Sequence, residues 1–278
     1  MKQSSADFRL YSISQLVKKD DTHLLHYKIY SQHHEEWVVL VHGAGGSSTI
    51  WYKQIRAYRK HFNVLVVDLR GHGACRIENS PSTYTLDLVS QDILEVLDSL
   101  NIKKAHFVGI SLGTMLIRQL AETNPERFHT MILAGAVIRI TPRLHVLLGL
   151  ANMLKKMIPF MWLYKLFAWI LMPKKTHKTS RSLFVQEAKK IKHREFLRWL
   201  TLTGGIAKYL VKINEKDTNI PALYIMGEED YVFLEPVKRI VKEHQSSKLV
   251  ILKDSGHVCN VDQAAQFNEV SLQFLTTH

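Results

Sequence analysis

Short runs of apolar, often β-branched residues alternate with helical segments along most of this 278-residue chain. Trp37–Val41 is such a run and stops at a His-Gly pair, as a buried strand followed by a turn does. Thr85–Leu100 instead has its apolar residues at helical spacing, with acidic residues in its first turns. The other predicted strands are 63–69, 105–110, 130–137, 222–226 and 248–252, and the other predicted helices are 51–58, 112–123, 235–243 and 262–275. Strands that alternate with helices form a mostly parallel sheet covered on both faces, so we predict an α/β fold.

The segment 138–205 breaks this alternation. It is rich in Leu, Met and aromatic residues. Its charge-free runs are shorter than the ~18–20 residues that a membrane-spanning helix needs. We therefore predict a helical cap, residues 138–205, inserted into an α/β core formed by residues 1–137 and 206–278.

The excess of positive over negative charge in the chain lies in this predicted cap. The segment 137–205 holds fourteen Lys and Arg but only two acidic residues, Glu187 and Glu195, so it carries the whole formal net charge of +12. A solvated charged face, a site for an anionic substrate and a contact with an anionic membrane surface would each explain it. The mixture of Met, Trp and Phe with Lys favours an apolar acyl-binding cap and is compatible with weak membrane contact. Nucleic-acid binding is not favoured, because the aromatic residues are typical of a packed core rather than of base-stacking platforms.

Cysteine content and the N-terminal residues bear on the compartment. Cys75 and Cys259 do not indicate a disulfide framework or a zinc site. The first ten residues contain no apolar stretch that resembles a secretory signal. We therefore expect a reduced, cytoplasmic protein without a metal.

A possible nucleophile lies in the motif Gly109-Ile-Ser-Leu-Gly113. The motif follows a predicted strand and opens a predicted helix, which is the setting that a nucleophile elbow requires. Such a sharp turn leaves no room for side chains beside the serine, so it needs glycine on both sides. The pattern predicts an exposed, reactive hydroxyl on Ser111.

With this motif the sequence resembles the α/β-hydrolase superfamily, in particular its esterase, lactonase and lipase-like branch. Four further segments match the order of the family: 42–46, 68–73, 227–230 and 255–257. The resemblance implies that Ser111 is the nucleophile, Asp230 the catalytic acid residue and His257 the base, in the chain order typical of this fold. Glu228 and Glu229 are alternative positions for the acid.

The resemblance also implies two backbone donors for an oxyanion. One is the N–H of Ala44, after the His-Gly pair, and the other is the N–H of Leu112, after the nucleophile. Two such donors stabilise the charge that develops on a tetrahedral intermediate. No metal or organic cofactor is required by this chemistry.

Some residues depart from the family or admit another interpretation. Thr114 stands where many relatives have a second glycine, and Val258-Cys259-Asn260 replaces the usual glutamate after the base; both leave the subfamily open. His72 is interpreted as structural. A dinucleotide fingerprint fails because Ser48 replaces its third glycine, and the run 33–36 is interpreted as a solvated turn rather than a metal site.

The function implied by the resemblance is hydrolysis of a carboxylic ester by acyl transfer to Ser111. The substrate would be a small or medium acyl ester, a lactone or a monoacylglycerol. Two alternatives stay open on the same fold. One is a cofactor-free lyase resembling the menaquinone-pathway synthase, or a perhydrolase or haloperoxidase with the same triad. The other is a ligand sensor without catalysis.

Overall fold

The computed structural model describes residues 25–30, 33–76, 81–154, 157–202 and 206–278. In these ranges seven strands form one sheet in the order β1-β3-β2-β4-β5-β6-β7. The strands are β1 (His26–Tyr30), β2 (Trp37–Val41), β3 (Asn63–Asp68), β4 (Ala105–Ile110), β5 (Phe128–Ala134), β6 (Ala222–Gly227) and β7 (Ser247–Leu252). Only β1 runs antiparallel to its neighbour, so the described sheet is mostly parallel, as predicted.

The strand order reverses direction at β2. The chain passes from β2 to β3 on one side and then to β4 on the other side of β2. The register pairs Val41 of β2 with Gly109 of β4, so the turns that follow these strands lie next to each other. Ligands of open α/β sheets bind at such a reversal, beyond the carboxyl ends of the strands.

Helices cover both faces of the sheet. They are α1 (Tyr52–Tyr58), α2 (Leu86–Ser99), α3 (Leu112–Thr123), α4 (Pro142–Leu154), α5 (Phe160–Leu171), α6 (Lys178–Ala188), α7 (His193–Thr201), α8 (Ile206–Asn214), α9 (Leu234–Glu243), α10 (Cys259–Asp262) and α11 (Ala264–Thr276). Val39 and Val41 belong to a buried cluster that also contains side chains of α2, α3, α8 and α9, whereas Val38 and Leu40 belong to a second cluster that contains side chains of α1 and α11. Alternate residues of β2 therefore contribute to two separate layers of the core, which explains why the strand is apolar throughout.

The described part of the segment between β5 and β6 consists of helices joined by loops. Helices α4 to α7 lie within the predicted cap, and Ala151, Leu163 and Phe196 from three of them form a buried cluster of their own. Helix α8 also precedes β6 but packs with the core, where Leu210 joins the main cluster and the carbonyl oxygen of Ile213 accepts a hydrogen bond from Arg118. We refer to α4–α7 as the helical insert.

Element boundaries agree with the prediction to within two residues, except at two places. Strand β5 ends at Ala134 rather than at Val137, because Gly135 has φ +47° and turns the chain away from the sheet. The last predicted helix, 262–275, is interrupted at Gln263, which separates the short α10 from α11. None of the helices in the described ranges has the length and apolar character to cross a bilayer.

Candidate active site

Ser111 lies in the turn between β4 and α3. Its backbone has φ +54° and ψ −118°, a conformation that costs a residue with a side chain roughly 1–3 kcal/mol. The Ser111 N–H donates to the Ala134 carbonyl at 3.0 Å. The Thr114 hydroxyl donates to the Ser111 carbonyl at 2.6 Å and accepts the Val137 N–H at 3.2 Å. Thr114, one of the departures from the family pattern, therefore ties this strained turn to the start of the helical insert.

The two glycines of the motif, Gly109 and Gly113, lie so close to neighbouring atoms that a side chain would not fit at either position. A Cβ on Gly113 would lie 2.3 Å from the carbonyl oxygen of Val41, and one on Gly109 would lie 2.6 Å from Ile117 Cδ1. Neither separation is compatible with a methyl group. The turn is thus pressed against the end of β2, which brings Ser111 next to the loop that follows that strand.

Ser111, His257 and Asp230 form a chain of hydrogen bonds. His257 Nε2 lies 3.0 Å from Ser111 Oγ, and His257 Nδ1 lies 2.8 Å from Asp230 Oδ2. Asp230 is buried, and its other oxygen accepts the Phe233 N–H at 3.1 Å. When Nδ1–H of a neutral imidazole donates to Asp230, Nε2 presents its lone pair to the serine hydroxyl. This arrangement fits a nucleophile, a base and a carboxylate that orients the base.

In the structure neither of the two glutamates before Asp230 is hydrogen-bonded to His257. Glu228 is exposed. Glu229 accepts a hydrogen bond from the Lys174 ammonium, and its Oε2 lies 2.7 Å from His177 Nε2. Burial raises the pKa of Glu229, but the hydrogen bonds and charges of Lys174 and His177 outweigh it and hold the pKa below its ordinary value. Glu229 therefore joins the Asp230 loop to the helical insert rather than to His257.

The loop that carries His257 is held by buried polar groups. The Gly256 N–H donates to Asp262 Oδ2 at 3.0 Å. The buried His177 ring lies against Gly256, where a Cβ would be 2.8 Å from its Cε1. Asn260, in the segment that replaces the family's usual glutamate, donates to the Ile50 carbonyl at 3.1 Å. These contacts tie the loop to both the insert and the core.

The two expected oxyanion donors lie beside the serine. A Cβ on Gly43 would be 3.0 Å from the Ser111 Cβ, so the turn before Ala44 passes within contact distance of the serine. Leu112 is the first residue of α3, and its N–H belongs to the unpaired amino end of that helix. Within the described residues, neither the Ala44 N–H nor the Leu112 N–H has a protein acceptor. Both N–H groups therefore lack a competing acceptor in the described part of the chain, as the predicted role requires.

Two buried histidines hold the loop that contains Ala44. His42 Nδ1 donates to the Gly43 carbonyl at 2.8 Å, and His42 Nε2 accepts the Leu69 N–H at 3.0 Å. His72 Nε2 accepts the Gly45 N–H at 3.0 Å. Burial, reinforced by the charge that His42 would carry, lowers the pKa of His72 to about 3. Burial likewise lowers the pKa of His42, so both rings are neutral and serve as fixed acceptors.

The remaining sequence candidates take no part in this site. His34, from the run considered as a metal site, has its Nε2 3.2 Å from the Arg59 carbonyl oxygen. Across the described residues, no three His, Cys, Asp or Glu side chains are grouped so that they could hold a metal ion.

A family model described as the α/β-hydrolase fold matches residues 36–184, more than half of the chain. The chain belongs to the α/β-hydrolase family. It is 26% identical over 247 residues to the 3-oxoadipate enol-lactonase 1 of Acinetobacter baylyi, which covers 86% of this chain and 88% of that enzyme. The predicted family, fold and class of enzyme, a hydrolase, are confirmed.

Solved structures of the family have the same fold. The enol-lactonase of Burkholderia xenovorans LB400 superposes with a TM-score of 0.73 at 23% identity, covering 91% of this chain and 96% of that one. A thermophilic esterase from Thermogutta terrifontis superposes with a TM-score of 0.76 at 17% identity, covering 91% and 94%.

In this α/β-hydrolase the Ser111 hydroxyl opens into a cavity of about 220 Å³ between the sheet and the helical insert. The wall on the insert side is almost entirely apolar. It includes Tyr164, Phe167, Leu171, Phe184, Phe196 and Trp199. The Trp199 indole N–H also donates to the Arg70 carbonyl at 2.9 Å, which fixes α7 to the core.

Glu187 is a cavity residue that the sequence analysis did not select. It is buried, and its carboxylate accepts hydrogen bonds from Ser47 Oγ at 2.8 Å and from Lys190 Nζ at 2.5 Å. The sequence contains one indication that Glu187 has a special role, because it is one of only two acidic residues in a strongly basic segment. Its orientation toward the cavity depends on how α6 is rotated against the sheet, which its local sequence does not reveal.

Proposed function

We propose that this enzyme hydrolyses carboxylic esters or lactones with a small or medium, uncharged acyl group, through an acyl-enzyme on Ser111. The observation that carries the proposal is the hydrogen-bonded series Ser111, His257 and Asp230 at the wall of an apolar cavity. The enol-lactonase and esterase relatives support the ester or lactone linkage.

The proposed reaction has two halves. In the first, His257 Nε2 takes the hydroxyl proton as Ser111 Oγ attacks the acyl carbon, and the N–H groups of Ala44 and Leu112 stabilise the oxyanion. The intermediate then collapses, and the alcohol leaves with the proton held by His257. In the second half His257 activates a water, which releases the acid and restores Ser111. Asp230 keeps the imidazole in the required tautomer and stabilises its charged form.

The electrostatics of the cavity favour an uncharged acyl group. Among the described residues that line it, none is Lys or Arg, and Glu187 places a carboxylate at its wall. An anionic acyl group would lose its hydration there without gaining a cationic partner, since Lys190 is already paired with Glu187. The relative named for 3-oxoadipate acts on a carboxylate-bearing compound, so we expect the substrate of this chain to differ from it.

Hydrolysis of p-nitrophenyl esters from acetate to palmitate tests the proposal. We expect activity that peaks at one chain length and disappears in Ser111→Ala. Ser99→Ala, at the end of α2 and away from the site, is the matched control and should keep full activity. A series of lactones should be included, because an enol-lactonase is among the relatives.

The reactivity of Ser111 as a nucleophile is tested separately by intact mass. A fluorophosphonate should add once to the wild-type protein and not to Ser111→Ala. If it labels Ser111 but no ester or lactone is cleaved, the lyase or perhydrolase alternatives replace hydrolysis. If it fails to label a folded protein, the nucleophile assignment is wrong and a ligand sensor is favoured.

A further inference from the structure

Helix α5 has apolar residues on both its inner and its outer side, and Lys165 is its one charged residue. Its inner side buries Leu163, Tyr164 and Ala168. Its outer side exposes large apolar side chains at helical spacing: Trp162 (68% exposed), Leu166 (45%), Trp169 (57%) and Ile170 (36%). A helix at the surface of a soluble protein normally has a polar outer side, so an apolar outer side indicates contact with something other than water.

The neighbouring helix repeats the pattern. Along α4, Val146, Leu150 and Met153 are exposed at a spacing of four and three residues, and Met157 follows in the loop. These positions share one side of the helix. Ala151 of α4 and Leu163 of α5 belong to the same buried cluster, so both helices bury their inner sides together and expose apolar outer sides. We call this set of exposed apolar residues the outer face: Val146, Leu150, Met153, Met157, Trp162, Leu166, Trp169 and Ile170.

Cations accompany the α5 residues of the outer face, whereas Val146 of α4 shares a surface cavity with the exposed Glu215, Glu235 and Glu243. Lys165 is exposed between Trp162 and Trp169, and the Arg181 guanidinium lies 3.9 Å from the centre of the Trp169 ring. Lys175 is exposed just beyond the end of α5.

The two acidic residues of the insert are both buried. Glu187 is paired with Lys190, and Glu195 is paired with Arg198. The cations at the surface of the insert are therefore not interspersed with carboxylates of the same segment.

We propose that the outer face docks the enzyme on an anionic lipid bilayer. Tryptophan and aliphatic side chains enter the boundary between headgroups and acyl chains, while lysine and arginine remain at the headgroups. A second copy of the chain fits less well, because two inserts of equal positive charge would face each other. Since the inner side of α5 lines the cavity, docking would place the bilayer one helix away from Ser111.

Vesicle co-sedimentation tests the docking with the Ser111→Ala protein, so the outcome is independent of catalysis. The probes are vesicles of phosphatidylcholine alone and vesicles in which about a third of the lipid is phosphatidylglycerol. We expect binding to the anionic vesicles, weak binding to the neutral ones and release by salt. The emission of exposed tryptophan should shift to shorter wavelength on binding.

Trp162→Ser combined with Trp169→Ser should weaken binding to anionic vesicles at least about tenfold. Lys165→Gln with Lys175→Gln should weaken it severalfold and reduce its salt dependence. Tyr52→Ser is the matched control, because it also removes an exposed aromatic ring but lies in α1, outside the helical insert. It should leave vesicle binding unchanged. In the wild-type background, the double tryptophan variant should still cleave a short soluble ester at the normal rate, because neither tryptophan lines the cavity.

Three results would overturn the proposal. The first is absence of binding to anionic vesicles, and the second is binding that the two tryptophan substitutions leave intact. The third is a dimer in light scattering that the tryptophan substitutions dissociate, since the outer face would then be covered by a second copy.

Discussion

The sheet and the helical insert contribute to the cavity in different ways. On the sheet side, backbone geometry sets the positions: Ser111 sits at a positive φ, and Gly113 lies too close to β2 for a side chain. On the insert side, apolar side chains such as Phe196 make the wall. Acyl transfer requires accurate placement of a few atoms, whereas acyl binding requires a shape and an apolar surface. We therefore expect changes in the core to abolish turnover or folding and changes in the insert to shift substrate preference.

The largest effect should come from the hydrogen bond between the carboxylate and His257. Asp230→Asn should reduce kcat by roughly 10⁴-fold because an amide N–H in place of the acceptor favours the wrong imidazole tautomer. Steady-state hydrolysis of the preferred p-nitrophenyl ester measures it. Glu228→Gln, an exposed neighbour, is the control. A loss of less than tenfold in Asp230→Asn would show that another group orients His257.

A pair of glycine substitutions compares the two regions directly. Gly113→Ala places a Cβ 2.3 Å from the Val41 carbonyl oxygen, whereas a Cβ on Gly149 of α4 meets nothing within 4 Å. Gly113→Ala should destabilise the protein by about 3 kcal/mol or more, if it folds at all. Gly149→Ala should stabilise it by about 0.5–1 kcal/mol, because alanine favours the helix. Urea unfolding monitored by circular dichroism measures both, and equal effects would contradict the comparison.

The buried histidines of the core should make its stability depend on pH. The pKa of His72 falls from 6.5 to about 3 in the folded protein through burial and the charge that His42 would carry if it were protonated. Below pH 6.5 the unfolded chain binds a proton that the folded one does not, so this residue lowers stability as the pH falls toward 3. His72→Gln should reduce the slope of stability against pH by about 1.4 kcal/mol per pH unit within this window.

Urea unfolding at several pH values measures that slope. His61→Gln, at an exposed position, is the control and should leave the slope unchanged. An unaltered slope in His72→Gln would mean that His72 titrates alike in the folded and unfolded chains.

The smallest effect should follow a change in the insert wall. Phe196→Ala enlarges the cavity, so the preferred acyl chain should lengthen, with about a fourfold gain in kcat/KM for each added methylene that is buried. The kcat for acetate should change little, because Phe196 belongs to the insert rather than to the Ser111 turn. Trp162→Ala, on the outer side of α5, is the control. An unchanged chain-length profile in Phe196→Ala would place the acyl group elsewhere.

Much of the fold could be predicted from local sequence. Short apolar, often β-branched runs identify strands, helical spacing identifies helices, and the glycines around Ser111 identify a tight turn. The carboxyl ends of parallel strands meet at one edge, so residues placed after β4, β6 and β7 could be expected to converge. The structure does bring Ser111, Asp230 and His257 together.

The ends of some elements, and the contacts that support the site, could not be predicted from the sequence. The predicted strand through Val137 stops at Ala134, because the φ of Gly135 depends on its close packing against His257. The roles of His42 and His72 likewise depend on distant N–H groups that reach their rings only in the folded chain.

The sequence alone therefore determined the α/β architecture and the candidate reacting residues, since both depend on patterns that span a few neighbouring positions. Tertiary structure decided which sides of the insert helices meet the cavity and which meet solvent. Helix α5 is apolar on both sides, so its periodicity cannot distinguish Tyr164, which is buried at the cavity, from Trp169, which is exposed. Only the packing of α5 against the sheet and against α6 separates the two, because burial is a property of the assembled chain and not of the helix itself.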